Sequence, residues 1–468
     1  MTNDTKRPGT LGELRKSGWQ ERPIRVEMRE NLIRKLAAGE DVFPGIVGYD
    51  DTVVPQLENA VLAGQDIILL GERGQAKTRI IRSLTSLLDE WTPLLDECEI
   101  PESPFSPISA EGRTLVREHG DKAPVRWVHR DERYGEKLAT PDITIADLIG
   151  ELDPVKIAEG KYLSDELAIS YGLLPRSNRG IFAINELPDL AERIQVGLLN
   201  IMQERDVQIR GHKVRLPLDV IVVATANPED YTNRGRIITP LKDRYGAQIR
   251  THYPLSLADE IQVIENEFTT LDMGDYRVNV PGFITEMIAE ITRIARESPD
   301  ISQRSGVSVR ASIANYETVL ANALRRTIVA GEQEVVPRIC DLPYVLSSLG
   351  GKLEFETFEE GRESQVMEKF IEQAIAEVFK RRFDLETLDH VVYEFRDGVT
   401  VEVGEGVATS EYEALLGRMD ALAVAVERIA PKGTPAERAA TLELLLEGLH
   451  QHKLLNKDVV HGQMTYWG

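Results

Sequence analysis

One short run constrains this chain more than any other. Asp66-Ile67-Ile68-Leu69-Leu70 leads into Gly71-Glu72-Arg73-Gly74-Gln75-Ala76-Lys77-Thr78, and an amphipathic stretch, residues 79–88, follows. An apolar strand, a glycine-bearing loop and a helix opening at Lys-Thr make a unit whose backbone N–H groups converge on an anion. The spacing is G-x-x-x-x-x-K-T, with Ala76 where the commonest form has its second glycine. Lys77 is then a point charge for the β/γ-phosphates, and the Thr78 hydroxyl a ligand for Mg2+. Ala76 adds a Cβ where backbone must approach phosphate, but alanine is compatible with helical φ/ψ. The bland alternative is a strand-to-helix turn with an incidental Lys-Thr.

The surroundings of this run set the fold class. Short apolar runs at Ile67–Leu70, Val125–His129, 181–184, Val220–Ala226 and 248–251 alternate with helical patterns. Buried strands separated by helices predict an α/β fold, an αβα layer with a mainly parallel sheet. The expected divisions are a helical lead-in over 1–44, with a helix at 26–36, and an αβα core over 45–254. A helical lid follows over 255–350, with helices at 256–268, 284–297, Val309–Ala330 and 337–348. A mostly helical extension, 351–468, carries helices at 364–381, 411–429 and 435–450, and a small hairpin within 391–403 around Asp397-Gly398. A length of 468 residues suits about three domains at ~150 residues each.

Three further runs end in polar residues where such a sheet opens on a crevice. Gly180-Ile181-Phe182-Ala183-Ile184 ends in Asn185-Glu186. Glu186 is suited to orient or deprotonate an attacking water. Asn185 stands where Asp is usual, so it meets Mg2+ only through water and without charge; the pair is otherwise a helix cap. Val220–Ala226 ends in Asn227-Pro228, where Asn227 is suited to hold the attacking water or touch the γ-phosphate. An ordinary Asn-Pro turn is the alternative. Arg244, in TPLKDRYG, is a candidate arginine finger toward a neighbouring subunit, and Arg310, in SVRAS, a residue that folds back onto nucleotide. A solvated surface role is the alternative for both.

In this order the elements resemble AAA+ ATPases, within them the branch of MoxR and the magnesium-chelatase I subunit. The resemblance covers about residues 40–350 and rests on GIVGYD (45–50), GERGQAKT, GIFAINE, ATANPEDY, TPLKDRYG and SVRAS. It implies that Val47, Gly48 and Tyr49 lie near the adenine. It also implies a helical insertion over 162–179 and a basic hairpin over 206–216, where Arg210, His212, Lys213 and Arg215 face a pore or client; a solvated hairpin is the alternative. Residues 89–124 lengthen the stretch after the loop helix and read as surface decoration.

What the resemblance implies for function is binding and hydrolysis of ATP with Mg2+ in a ring oligomer, commonly a hexamer. The work done is remodelling of a protein client, with a von Willebrand A-domain protein as possible partner. The alternative readings are a chelatase subunit driving metal into a porphyrin and a slowly turning nucleotide-binding scaffold. A sigma-54-type activator is disfavoured, because no GAFTGA-like loop or helix-turn-helix is seen. Composition trims the options. Lys plus Arg number 55 against 77 Asp plus Glu, a net charge of −22, which disfavours nucleic-acid binding. No apolar run approaches ~20 residues, so no membrane insertion is expected. The opening residues MTNDTKRPGT hold no apolar h-region, so no secretory signal is expected, and Cys98 and Cys340 are the two cysteines, which suits a cytoplasmic location.

Overall fold

The computed structural model describes residues 7–158, 166–204, 216–227, 236–268, 273–302, 306–356, 361–396, 398–460 and 462–468. Packing divides the chain into two compact units, Met1–His252 and Tyr253–Gly468.

The first unit is an α/β layer. Its strands are β1 (Ile67–Leu70), β2 (Trp91–Leu95), β3 (Val125–His129), β4 (Tyr134–Leu138), β5 (Gly150–Leu152), β6 (Ile169–Tyr171), β7 (Gly180–Asn185), β8 (Val220–Ala226) and β9 (Ala247–Arg250). Five of them form one sheet in the order β4-β7-β8-β1-β9, every neighbouring pair parallel. All residues of β7 and β8 are buried, as a strand covered on both faces requires. The two-residue period of the strands then divides their side chains between two cores. Ile68, Phe182, Ile184, Val222 and Ala224 pack with Ile194, Leu198 and Ile201 on one face. Ile67, Leu69, Ile181, Ala183 and Val223 pack with Met28, Leu32, Leu57 and Ile81 on the other. The lead-in helix Ile24–Ala38 therefore belongs to the sheet's own core, and its buried Glu27 grips Arg133 through two bonds of 2.6 and 2.8 Å.

Several expectations are corrected here. The Val125–His129 run is a strand but not part of the main sheet: it pairs antiparallel with Trp91–Leu95. Only Val125 and Val128 of it are buried, which suits a two-stranded flap. The sheet's outer strand is instead β4, Tyr-Gly-Glu-Lys-Leu, whose polar content suits an edge and hides it from a search for apolar runs. Residues 89–124 carry β2 and the helix Ala110–His119, and bury Glu102, so they are more than decoration. The described part of 162–179 is not a helical insertion. It holds β6, antiparallel to β5, and one helical turn, Leu173–Arg176. The basic hairpin residues Arg210, His212, Lys213 and Arg215, and Pro228 with the rest of its loop, lie outside the described residues.

The second unit holds the helices Leu257–Glu267, Gly282–Glu297, Val309–Ala330, Arg362–Arg382 and Pro435–Gln451. Phe283, Met287, Phe370, Phe379, Leu442 and Leu446 share one core, so packing runs unbroken across 350/351. The expected helix at 337–348 is a 3₁₀ turn, Ile339–Tyr344, followed by a short helix, Val345–Leu349, with Pro343 inside the turn. The expected helix at 411–429 is two helices, Thr409–Leu416 and Asp420–Ile429, parted at Gly417, a poor helix former. The expected hairpin turn at Asp397 lies outside the described residues, and no two described strands within 391–403 pair with each other. Val391 is helical, and strand Thr400–Gly404 pairs with Gln463–Trp467, a distant partner that outcompetes the local turn.

Candidate functional site

The site is built at the C-terminal ends of β1, β7 and β8. Parallel pairing brings these ends level: Leu70 faces Ala226 across β1 and β8, and Ile184 faces Ala224 across β7 and β8. Each apolar run therefore delivers its polar follower to one place, Gly71 after β1, Asn185-Glu186 at the end of β7, and Asn227 after β8.

The loop 71–76 curls over the end of β1. An added Cβ on Gly71 would sit 1.9 Å from Thr251 Oγ1 and 2.2 Å from Gln75 Oε1, so any larger residue would have to push the Thr251–Gln75 hydrogen bond aside. The buried Gln75 side chain braces the loop from inside, accepting from the Glu72 backbone N–H at 3.0 Å and from the Thr251 hydroxyl at 2.7 Å. Ala76 has φ 53 and ψ 13, left-handed rather than helical, which corrects the expectation for this residue. An L-residue costs about 1–2 kcal/mol there, and such strain gathers at functional sites. Lys77 opens the helix Lys77–Ser83 and turns back across the loop. Its ammonium donates to the Gly71 carbonyl, to the Glu72 carbonyl at 2.6 Å and to Asn227 Oδ1 at 2.7 Å. Two residues chosen from separate runs are thus in direct contact.

The second half of the site hangs on Thr225. Its hydroxyl accepts from the Glu186 backbone N–H at 2.9 Å and donates to Asn185 Oδ1 at 3.4 Å. Glu186, at φ 56, also has a left-handed backbone, and its side chain is half-buried. Asn185 is buried and its Nδ2 donates to Glu136 Oε1 at 2.5 Å. Glu136 in turn takes a hydrogen bond from Arg82 Nε at 2.8 Å. Burial alone would raise the Glu136 carboxyl, but its partners, Arg82 foremost, hold it below the usual carboxylate range.

Comparison with known proteins gives the following likenesses. The family model described as the Sigma-54 interaction domain matches residues 159–242. The 38 kDa magnesium-chelatase subunit of Rhodobacter capsulatus is 27% identical over 230 residues, 48% of this chain and 60% of that protein. The Bacillus subtilis protein YeaC is 29% identical over 294 residues, 59% of this chain and 82% of its own length. Over about half its length the chain is similar to the I subunits of magnesium chelatase, which belong to the AAA+ ATPases. A solved complex of the BchI and BchD subunits of magnesium chelatase is 20% identical, covers 69% of this chain and 98% of that one, and gives a TM-score of 0.35. The chain spans 60–64% of the length of the first three magnesium-chelatase subunits it matches.

The remaining candidates lie as follows. Val47 and Gly48 are half-buried in the segment before the loop. Tyr49 is buried, and its hydroxyl lies 3.0 Å from the Gln75 carbonyl and 2.6 Å from the His252 carbonyl, which ties that segment to the loop. Burial pushes its phenol up to about 12, so it stays protonated. The Arg73 and Ala76 side chains are exposed, and Gly74 and Thr78 are half-buried. Arg244 ends the helix Thr239–Arg244 and donates to Gln203 Oε1 at 3.0 Å rather than to any loop residue. Arg310 lies in the other unit, exposed in the first turn of Val309–Ala330. The sequence reading missed Thr225, Thr251, Arg82 and Glu136. Thr225 was visible as the only polar residue within the Val220–Ala226 run. The others carry no local signal, because their partners lie far along the chain.

Proposed function

We propose that the chain binds ATP with Mg2+ and hydrolyses it in a ring of identical subunits to remodel a protein client. The observation that supports this reading is the Lys77–Asn227 contact of 2.7 Å, made across the ends of two parallel strands beside the Gly71 loop. The residues present fit Mg-ATP. The loop 71–76 offers backbone N–H groups to phosphate oxygens, Lys77 a charge and Thr78 a hydroxyl to the metal. The metal, when bound, neutralises charge on the phosphates. Glu186 takes a proton from the attacking water, Asn227 orients that water, and Thr225 holds Glu186 at its backbone. Val47, Gly48 and Tyr49 face the adenine. Arg244 acts on a neighbouring subunit's nucleotide, and Arg310 on its own. In this reading the protein works in the cytoplasm, in a hexameric ring, and a von Willebrand A-domain protein is a partner.

A chelatase reading, driving a metal ion into a porphyrin, is favoured by the matches to magnesium-chelatase subunits at 25–27% identity. It needs partner subunits, so metallated porphyrin formed on reconstitution with them would select it. The deciding experiment for the proposal is phosphate release by the purified chain. Wild type turns over with Mg2+. Glu186→Gln loses about 10²–10⁴-fold in kcat, keeps nucleotide, and retains client on co-purification. A wild-type chain that neither binds nor hydrolyses ATP with Mg2+ or Mn2+ would sink it.

A further inference from the structure

The usual carboxylate is missing at position 185, but a carboxylate is not missing from the place. We propose that Glu136, on the neighbouring strand, supplies the negative charge to the water shell of the nucleotide's Mg2+ that Asn185 lacks. The inference rests on the ATPase reading above and deepens it.

Three observations carry it. First, Glu136 Oε1 lies 2.5 Å from Asn185 Nδ2, so the two side chains meet at the end of β7. An aspartate at 185 would bring two carboxylates into contact, and two at that range do not both stay ionised. Amide and carboxylate are therefore a matched pair, with the charge moved one strand outward, from β7 to β4. Second, Glu136 faces the loop helix. Its other oxygen pairs with Arg82 at 2.8 Å, and Arg82 lies one turn after Thr78 in Lys77–Ser83, on the same helix face. Third, the pairing with Arg82 is exchangeable. The Arg82 side chain is 63% exposed, so solvent screens the contact and little is lost when a cation competes for Glu136. A carboxylate has about four lone-pair sites, so beside Asn185, Arg82 and the Tyr134 hydroxyl one remains for metal-bound water.

The test uses the full chain and a fluorescent, slowly hydrolysed ATP analogue, with binding titrated against Mg2+ from zero. In wild type Mg2+ tightens binding. E136Q is expected to bind the analogue normally without Mg2+ but to need about 10–100-fold more Mg2+ for half the tightening. N185D/E136Q, which returns the charge to β7, recovers the wild-type Mg2+ dependence. R82Q breaks the ion pair but keeps the carboxylate, so its Mg2+ dependence is not weakened. The proposal is overturned if E136Q keeps wild-type Mg2+ dependence. It is also overturned if R82Q is weakened as much as E136Q, because Glu136 then acts only by holding the helix. Should E136Q not fold, N185D/E136Q is read alone: wild-type Mg2+ dependence supports the proposal and its loss overturns it. Failure of wild type to bind the analogue with or without Mg2+ removes the ATPase reading itself, a result distinct from all of these.

Discussion

The C-terminal helix of the second unit and the strand-end site of the first use polar groups in opposite ways. In the second, the helix Pro435–Gln451 buries Glu443 and Glu447 at 0% and 2% exposure. Glu443 accepts from the Cys340 backbone N–H at 2.8 Å and from the Tyr412 hydroxyl at 2.6 Å. Glu447 takes the Lys457 ammonium at 2.8 Å, the Gln451 amide at 2.8 Å and the Tyr466 hydroxyl. These carboxylates are enclosed by their own partners. In the first unit Lys77, Thr78 and Glu186 are only half-buried, at strand ends and a loop rather than inside a helical core. Enclosure makes a polar group structural, whereas a polar group anchored at one end and open at the other is available for chemistry.

Four substitutions test that contrast. Glu447→Ala leaves Lys457 without its partner and is expected to cost about 3–5 kcal/mol in chemical denaturation. A loss near zero would show that the cluster is not structural. Lys77→Ala is expected to cost about 1.5–3 kcal/mol in ATP affinity while the denaturation midpoint hardly moves. If stability falls instead and affinity does not, the two regions are alike. Glu447 also predicts a pH effect. Burial alone would raise its carboxyl, but Lys457 and Tyr466 hold it below its ordinary 4.5. Its stabilisation is therefore complete above that value and lost as pH falls through the lower folded value. Melting curves of wild type should drop over this acid range, and Glu447→Gln should flatten that part of the drop. Last, Ala76→Gly relieves the left-handed alanine and is expected to stabilise the first unit by about 0.5–1 kcal/mol.

Much of the site was legible because its signals are local. An apolar run long enough to be a buried strand, followed by a polar residue, marks both a strand and its open end, as at β1, β7 and β8. The helix Val309–Ala330 was equally plain, since Ser308 caps it through the Arg310 N–H and Gly331 ends it at φ 68. Illegible elements depend on partners far away. Val125–His129 has the composition of a sheet strand, yet Trp91–Leu95 takes it out of the sheet. Tyr134–Leu138 has the wrong composition, yet it pairs with β7 along its whole length. Thr400–Gly404 waits for Gln463–Trp467 near the end of the chain.

Residue order along the chain therefore sufficed for the glycine-bearing loop and for the three buried strands that deliver polar residues to it. These follow from periodicity, turn chemistry and residue type within a few neighbours. Only the tertiary structure decided that Ala76 is left-handed, that Gln75 braces the loop onto Thr251, and that Lys77 meets Asn227. It alone put Glu136 against Asn185. Those facts depend on the register between strands, and register is settled by packing two faces of a sheet at once rather than by any one segment.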